Sequence, residues 1–435
     1  MAEFLKRPPH HPGEDAAEIR ATVSEILSRV EREGMTALRE YSSRFDGWSP
    51  ASFRVGRGEI DAAGREVADD LKQHIAFAAE QIRSFALAQR ATVHDLEVAP
   101  LPGVVLGHKH VPVASVGSYS PGGLYPLIAS SLMTVVTPKA AGVARVVAVA
   151  PPRDARGIYP PQLYAMGVAG ADEILCIGGV QALAALAYGV EDCQPVDMIV
   201  GAGNAYVAEA KRQLFGTVGI DLLAGPTEIA VIADALADPW LVAADLLGQA
   251  EHGPTSPATL ITTDRAFGLA VIHEVQRWLE GEWPTKDVAG RAWVDYGSVV
   301  LCESDDEAVK VSDELAPEHL EVQTEDPAWY RARLSNYGSL FLGTHATVAY
   351  SDKAIGTNHV LPTRRAARYT GGLWVGKFLK TLTFQTVTRE GSALVAPPAA
   401  AIADAELMFG HALTARLRLG DLEGTDPAVT AAVIG

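Results

Sequence analysis

"EILCIGGVQALAALAYG", residues 173 to 189, contains the pattern from which the rest of the chain is built. A short apolar run ends in Gly178 and Gly179 and passes directly into alanine and leucine at helical spacing, which reads as a buried strand, a tight turn and a helix. "RVVAVAPP", "DMIVGAGN" and "EIAVIAD" repeat the strand, and "AYVAEAKRQLFG" repeats the helix. A second series begins near residue 256: "ATLITT" precedes "RAFGLAVIHEVQRWLEG", "SVVLCES" precedes "EAVKVSDEL", and "HLEVQT" precedes "PAWYRARL". Strands alternating with helices build parallel sheets. The fold expected is α/β, with two doubly wound Rossmann-like domains. The first hundred residues read mostly helical, in "AAEIRATVSEILSRVEREG" and "VADDLKQHIAFAAEQIRSFALAQRA". The tail "AAIADAELMFGHALTARLRL" reads as a helical extension, with "APPAAA" at 396 as a short linker.

The totals exclude several classes. A chain of 435 residues exceeds the size of one core, and 48% hydrophobic with 20% charged residues suits packed domains rather than disorder. A formal net charge of −17 repels nucleic acid and anionic membranes. No apolar run reaches the ~18 residues of a membrane span, and the N-terminus lacks a signal-peptide core, so a cytoplasmic protein is expected. Cys176, Cys193 and Cys302 form no metal or redox pattern, and read as free thiols.

Four stretches can carry chemistry. In "DLLGQAEHGP", residues 245 to 254, Gln249 and His252 stand three apart among apolar neighbours, on one face of a helix opened by Asp238-Pro239. Imidazole is a common zinc ligand and an amide oxygen an unusual one. A histidine in a last turn also complements the helix dipole, and spacing alone favours that simpler use. "LAPEHLEV" places Glu318 beside His319 at a βα junction, or else is a solvated pair. "SDKAIGTNHVLP" holds Asp352, Asn358 and His359 in a polar loop or an ordinary turn, and "AELMFGHALTA" puts Glu406 and His411 on a helix. Of the glycine turns "GSYSPGG", "IGGVQ" and "VGAGNAY", the last two lie between a strand and a helix N-terminus, where backbone amides can hold phosphate; neither is a full dinucleotide fingerprint, and alone they indicate only tight turns. From Lys353 to Arg389 there is no acidic residue, while Lys353, Arg364, Arg365, Arg368, Lys377, Lys380 and Arg389 are cationic. This basic island either faces an anion or is a solvated face.

Taken in order, "SPGG", "GGVQALAAL", "GNAYVAEAK", "AGPTE", "DLLGQAEHGP", "APEHL", "GTNHVLPT" and "AELMFGHA" resemble the histidinol dehydrogenase family. The resemblance implies a zinc- and NAD-dependent enzyme that oxidises a primary alcohol through an aldehyde to a carboxylate. It implies Gln249, His252, Asp352 and His411 as zinc ligands, the last lent across an intertwined homodimer. His319 is then the general base and Glu318 the activator of water. Tyr119, Gln181 and Asn204 match NAD-contacting positions. Thr227, His359 and Glu406 match substrate-contacting positions, together with Gln249, His252, His319, Asp352 and His411. The division expected is an arm over 1–18, a first α/β domain from 19–118 and 230–373, a second over 119–229, and an extension over 374–435.

Some residues depart from histidinol-oxidising members: Thr227 stands for serine, Ala202 for the proline of the usual turn, and "PTRRAARYTGGLWVGKFLKT" is more basic. With "LYPLIASS" and "GNAYVAEAKRQLFG", that stretch is similar to the sulfopropanediol 3-dehydrogenase branch. The substrate expected is a small anionic polyol such as 2,3-dihydroxypropane-1-sulfonate, with L-histidinol as the alternative. Two other classes remain: a zinc hydrolase using the same ligands, which needs no dinucleotide turns, and a non-catalytic scaffold, against which the intact ligand set argues.

Overall fold

The computed structural model describes residues 2–9, 16–190 and 193–420. The chain divides into two compact units, one of Met1–Arg90 with Val113–Phe378, the other of Ala91–Pro112 with Leu379–Gly435. The expected arm over 1–18 and extension over 374–435 lie partly outside the described residues.

The first unit holds two parallel sheets. One has five strands, in chain order Ser115–Tyr119, Arg145–Ala150, Glu173–Cys176, Met198–Val200 and Gly219–Ile220. They lie side by side as third, second, first, fourth, fifth. Arg145–Ala150 is buried along almost its whole length, as a strand covered on both faces must be. The helix Gly179–Tyr188 is buried from Val180 to Ala187 because N-terminal helices cover it. From Ala16–Glu33 and Met35–Asp46, Val23, Leu27, Leu38 and Tyr41 join Leu183, Leu186 and Val207 in one core. Each such side chain contributes roughly 1.5–3 kcal/mol on burial, so this helical layer belongs to the sheet's core.

The other sheet runs Ile229–Ala233, Ala258–Thr262, Ser298–Leu301, His319–Gln323 and Ser339–Leu342 in chain order, and again lies as third, second, first, fourth, fifth. Glu3–Lys6 adds an antiparallel edge strand beside Ser298–Leu301. Val242, Leu246, Val271 and Trp293 pack on one face, Ala308 and Tyr330 on the other.

In the second unit, Val104–Pro112 pairs antiparallel with Leu96–Leu101 and with Leu379–Val387. Gly103 turns the hairpin at φ +71°, where a Cβ would meet Thr388 Oγ1 at 2.1 Å. Leu96–Leu101 begins within the first hundred residues, which read mostly helical, and Leu379–Val387 lies in the tail, which reads as a helical extension. The tail differs as well: Pro397 and Pro398 of "APPAAA" lie inside the helix Arg389–Ala405, not in a linker. The expected continuous helix breaks at Leu407 (φ +60°) before Phe409–Leu417, so Glu406 and His411 are not on one helix.

Among the described residues no helix is long and apolar enough to cross a membrane. Cys176, Cys193 and Cys302 are free and buried, and burial pushes the Cys176 thiol up to about 12.

Candidate active site

The site forms at the amino-terminal edge of the second sheet, between its first and fourth strands. Glu318 and His319 lie at an αβ junction there, not at the βα junction expected: the helix Asp305–Leu315 ends and the strand begins at His319. Ala316, at φ +47°, reverses the chain so that Glu318 and His319 arrive beside Thr227 and Glu228. His319 pairs in register with Ile229.

Asp238 caps the helix Pro239–Ala250 by accepting from Trp240 N at 2.9 Å. This helix stops two residues short of His252. The His252 N–H still donates to Gln249 O at 3.2 Å, so the two side chains keep the shared face predicted from their spacing. Asp352 sits not in a loop but near the end of the short helix Val348–Lys353.

These elements converge. Gln249 Nε2 donates to Thr227 Oγ1 at 2.5 Å and lies 3.3 Å from His319 Nδ1. Thr227 Oγ1 donates in turn to Glu318 Oε2 at 2.5 Å, which also accepts from Glu228 N at 3.0 Å. His319 Nδ1 lies 3.0 Å from Glu228 O, placing its proton there and leaving Nε2 as the lone-pair nitrogen. Nε2 is 3.6 Å from Asp352 Oδ1, too far for a hydrogen bond, and both atoms are buried without a partner. His252 Nε2 is 3.9 Å from Asp352 Oδ2, and Lys353 Nζ 3.7 Å from it. Gln249, His252 and Asp352 line one cavity of about 320 Å³.

The electrostatics follow from this packing. Burial alone pulls the His319 imidazole down, but Glu318 and then Asp352 outweigh it and hold His319 well above its ordinary range. Burial pushes Asp352 up, but His319, His359 and Lys353 reverse it and hold the carboxylate well below the usual range. His252 is lowered, mainly by burial.

Two buried orphan atoms facing each other are costly unless something fills the gap. Nothing in the described residues does. Of that pair, Asp352 Oδ1 stands with His252 Nε2 and with Gln249 Oε1, which has no hydrogen-bond partner among the described residues, as donors of the kind a divalent cation takes, and His319 Nε2 is left facing whatever the site admits. Among those residues no group of three or more His, Cys, Asp or Glu side chains is placed to hold a metal. The set on this unit is therefore incomplete, with one imidazole, one carboxylate and one amide.

His359 is held between Ser130 Oγ, 2.7 Å from its Nε2, and Asp352 O, 3.1 Å from its Nδ1. It thereby ties the Asp352 helix to a neighbouring one. Glu406 and His411 lie in the second unit, where both are exposed.

The expected dinucleotide positions lie at the carboxyl edge of the five-stranded sheet. Tyr119 ends the first strand, and its hydroxyl accepts from Gly179 N at 3.3 Å. Gln181 donates to Asp46 Oδ2 at 3.0 Å. Asn204 caps the helix Ala205–Leu214 by accepting from Tyr206 N and Val207 N. Strand order reverses between the first and fourth strands. There Gly201, at φ +115°, passes so close that a Cβ would lie 2.1 Å from Tyr119 O.

The basic island is divided. Lys380 and Arg389 belong to the second unit, Lys377 donates to Thr370 Oγ1, and Lys353 faces Asp352. Arg364 joins the site from another side: its backbone N–H donates to Glu228 Oε1 at 3.1 Å, and a Cβ on Gly225 would meet its Nε at 2.6 Å. Arg364 and Arg365 both take positive φ, 53° and 64°.

Sequence reasoning passed over Glu228, Asp245 and Glu321. In "HLEVQ" the signal was available: His319, Glu321 and Gln323 alternate on one side of a strand that is buried throughout.

The family model described as histidinol dehydrogenase matches residues 10–419. A histidinol dehydrogenase homolog from Shouchella clausii is 51% identical over 96% of this chain and 99% of its own length. A sulfopropanediol 3-dehydrogenase from Ruegeria pomeroyi is 46% identical, covering 96% of each chain. The crystal structure of histidinol dehydrogenase from Elizabethkingia anophelis superposes with a TM-score of 0.89 at 34% identity, covering 96% of this chain and 95% of that one.

Proposed function

The chain belongs to the histidinol dehydrogenase family and is a dehydrogenase, and from that footing we propose that it oxidises a small anionic primary alcohol through the aldehyde to the carboxylate, with zinc and NAD. The observation that carries this is the pair of buried, partnerless atoms, His319 Nε2 and Asp352 Oδ1, facing each other beside Gln249 and His252. Gln249, His252 and Asp352 would hold the zinc, with His411 as the remaining ligand.

When bound, zinc would supply Lewis-acid chemistry and NAD a two-electron acceptor, one for each oxidation. His319 takes the hydroxyl proton on Nε2, because Glu228 O holds the other nitrogen. Glu318 and Asp352 together hold His319 high, and Asp352 would weaken that pull once its charge is shared with a cation. Glu318, held by Thr227 and Glu228 N, then takes a proton from the water that hydrates the aldehyde. One alcohol and one water thus yield a carboxylate, two hydrides passed on and three protons. The carboxyl edge of the five-stranded sheet, at Tyr119, Gln181 and Asn204, receives the dinucleotide. Its backbone amides at helix N-termini suit pyrophosphate, and both sheets are read as doubly wound Rossmann-like domains.

The anionic substrate rests on Arg364. Its guanidinium has no carboxylate partner among the described residues, and it is set against the loop of Thr227 and Glu228. A sulfonate such as 2,3-dihydroxypropane-1-sulfonate offers it several acceptors.

The second unit supports an intertwined homodimer. Leu96, Val98, Leu101, Leu106, Leu382, Phe384 and Val387 are all 40–48% exposed on one small sheet, an apolar surface that a second copy would cover. Glu406 and His411 would then complete the partner's site.

Zinc-loaded protein should reduce NAD with 2,3-dihydroxypropane-1-sulfonate, or failing that with L-histidinol, and lose the activity on chelation. A loaded preparation that reduces no NAD across a panel of alcohols moves the assignment to a zinc hydrolase.

A further inference from the structure

Behind the site lies a second polar cluster that the chemistry above does not use. Glu321 is fully buried, two residues beyond His319 on the same strand. Asp245 is one helical turn before Gln249 and opens on the cavity that Gln249, His252 and Asp352 line. Gln323 Nε2 bridges the two carboxyls, at 2.8 Å from Asp245 Oδ2 and 3.0 Å from Glu321 Oε2. One amide nitrogen therefore serves both carboxyls, gathering two acids around a single donor. No lysine or arginine among the described residues pairs with either.

Both carboxyls also reach the start of the short helix that ends near Asp352. Val348 N donates to Glu321 Oε1 at 3.1 Å, and Thr347 Oγ1 donates to Asp245 Oδ1 at 3.2 Å. Three separate elements therefore meet at this pair: the helix bearing Gln249, the strand bearing His319, and the helix bearing Asp352.

We propose that Asp245 and Glu321 share one proton and act as positioning residues, a hydrogen-bonded clip that sets Asp352 against Gln249 and His319. A second charge in this buried place would repel the first and open the joint, whereas one shared proton closes it. Burial, and then the neighbouring carboxyl, hold Glu321 well above the ordinary range, in line with a retained proton.

The clip rests on the proposed function only for its metal readout, so two readouts are taken. Glu321→Gln keeps an acceptor for Val348 N and a donor toward Asp245, imitating the protonated acid. Glu321→Ala removes both. Zinc affinity by chelator competition should fall about tenfold or more in Glu321→Ala and stay within about twofold in Glu321→Gln. Hydrogen exchange at the Val348 amide should accelerate only in Glu321→Ala. Asp245→Asn against Asp245→Ala repeats the comparison from the other side if Glu321→Ala does not fold. The clip is overturned if Glu321→Gln is as damaging as Glu321→Ala, or if neither alanine variant changes Val348 exchange. Should the parent protein take up no zinc, the function proposed above fails, and the exchange comparison still decides the clip.

Discussion

The two parallel sheets share one strand order, yet they offer opposite edges and different chemistry. At the carboxyl edge of the five-stranded sheet, side chains are already committed: Asn204 caps a helix, Tyr119 and Gln181 bind protein groups, and the buried pair Lys211 and Asp221 grips both the C=O and the N–H of Gly201. What is left to a ligand is backbone, with Gln181 Oε1 and Asn204 Nδ2, which take no protein partner among the described residues. At the amino edge of the six-stranded sheet, the loops before the first and fourth strands deliver Thr227, Glu228, Glu318 and His319, and two of the atoms there are left without partners. Identical topology does not dictate where chemistry goes. A rigid, self-satisfied edge suits a cofactor held by shape, and an unsatisfied edge suits proton transfer.

The sharpest way to break this contrast is His319→Asn. It should lower kcat about 10²- to 10⁴-fold while zinc content by metal analysis stays that of the parent. Loss of zinc would make His319 a ligand rather than a base. Mixed and refolded with His411→Asn chains, which should themselves be inactive, it should recover about a quarter of parent activity if one site in each mixed dimer is whole. No recovery would place His411 in its own chain's site.

At the other edge, Gly201→Ala forces a Cβ against Tyr119 O, in a conformation that L-residues avoid. The KM for NAD should rise about tenfold with little change in kcat at saturation. A kcat loss of the same size would mean that the two edges are not separate.

A comparable effect, confined to one substrate class, is expected of Arg364→Ser with Arg365→Ser. The KM should rise about tenfold for the sulfonate and less than about twofold for a neutral alcohol. Equal changes would remove the case for an anionic substrate.

The smallest effect concerns Glu228, which burial and then Glu318 push up to about 8. Its folded value lies above the ordinary 4.5, so the folded protein holds the extra proton. The stability gained is present below the ordinary value and is lost as pH rises through about 8. Glu228→Gln should flatten the fall in Tm between pH 6 and pH 9, and an unchanged fall would assign it to other groups.

These outcomes also mark how far the sequence could be read. The parallel strands were legible because burial on both faces writes them as unbroken Val and Ile runs. The helix Pro239–Ala250 was legible from its Asp-Pro start. The strands Leu96–Leu101 and Leu379–Val387 were not: they belong to a small antiparallel sheet with apolar residues exposed, so burial leaves no alternation to find. In the site, Gln249 and His252 announce themselves by spacing within one segment. The placing of Asp352 against them depends on Asp245 and Glu321, whose partners are distant in the chain and visible only once folded.

Three of the four non-glycine residues with positive φ among those described, Ala316, Arg364 and Arg365, lie on the loops that deliver or cover the site. Each conformation costs roughly 1–2 kcal/mol that glycine would not incur. Evolution could have relaxed the 364–365 bend with two glycines and a sturdier protein. With arginines there instead, the 364–365 bend keeps a conformation that the surrounding fold must stabilise.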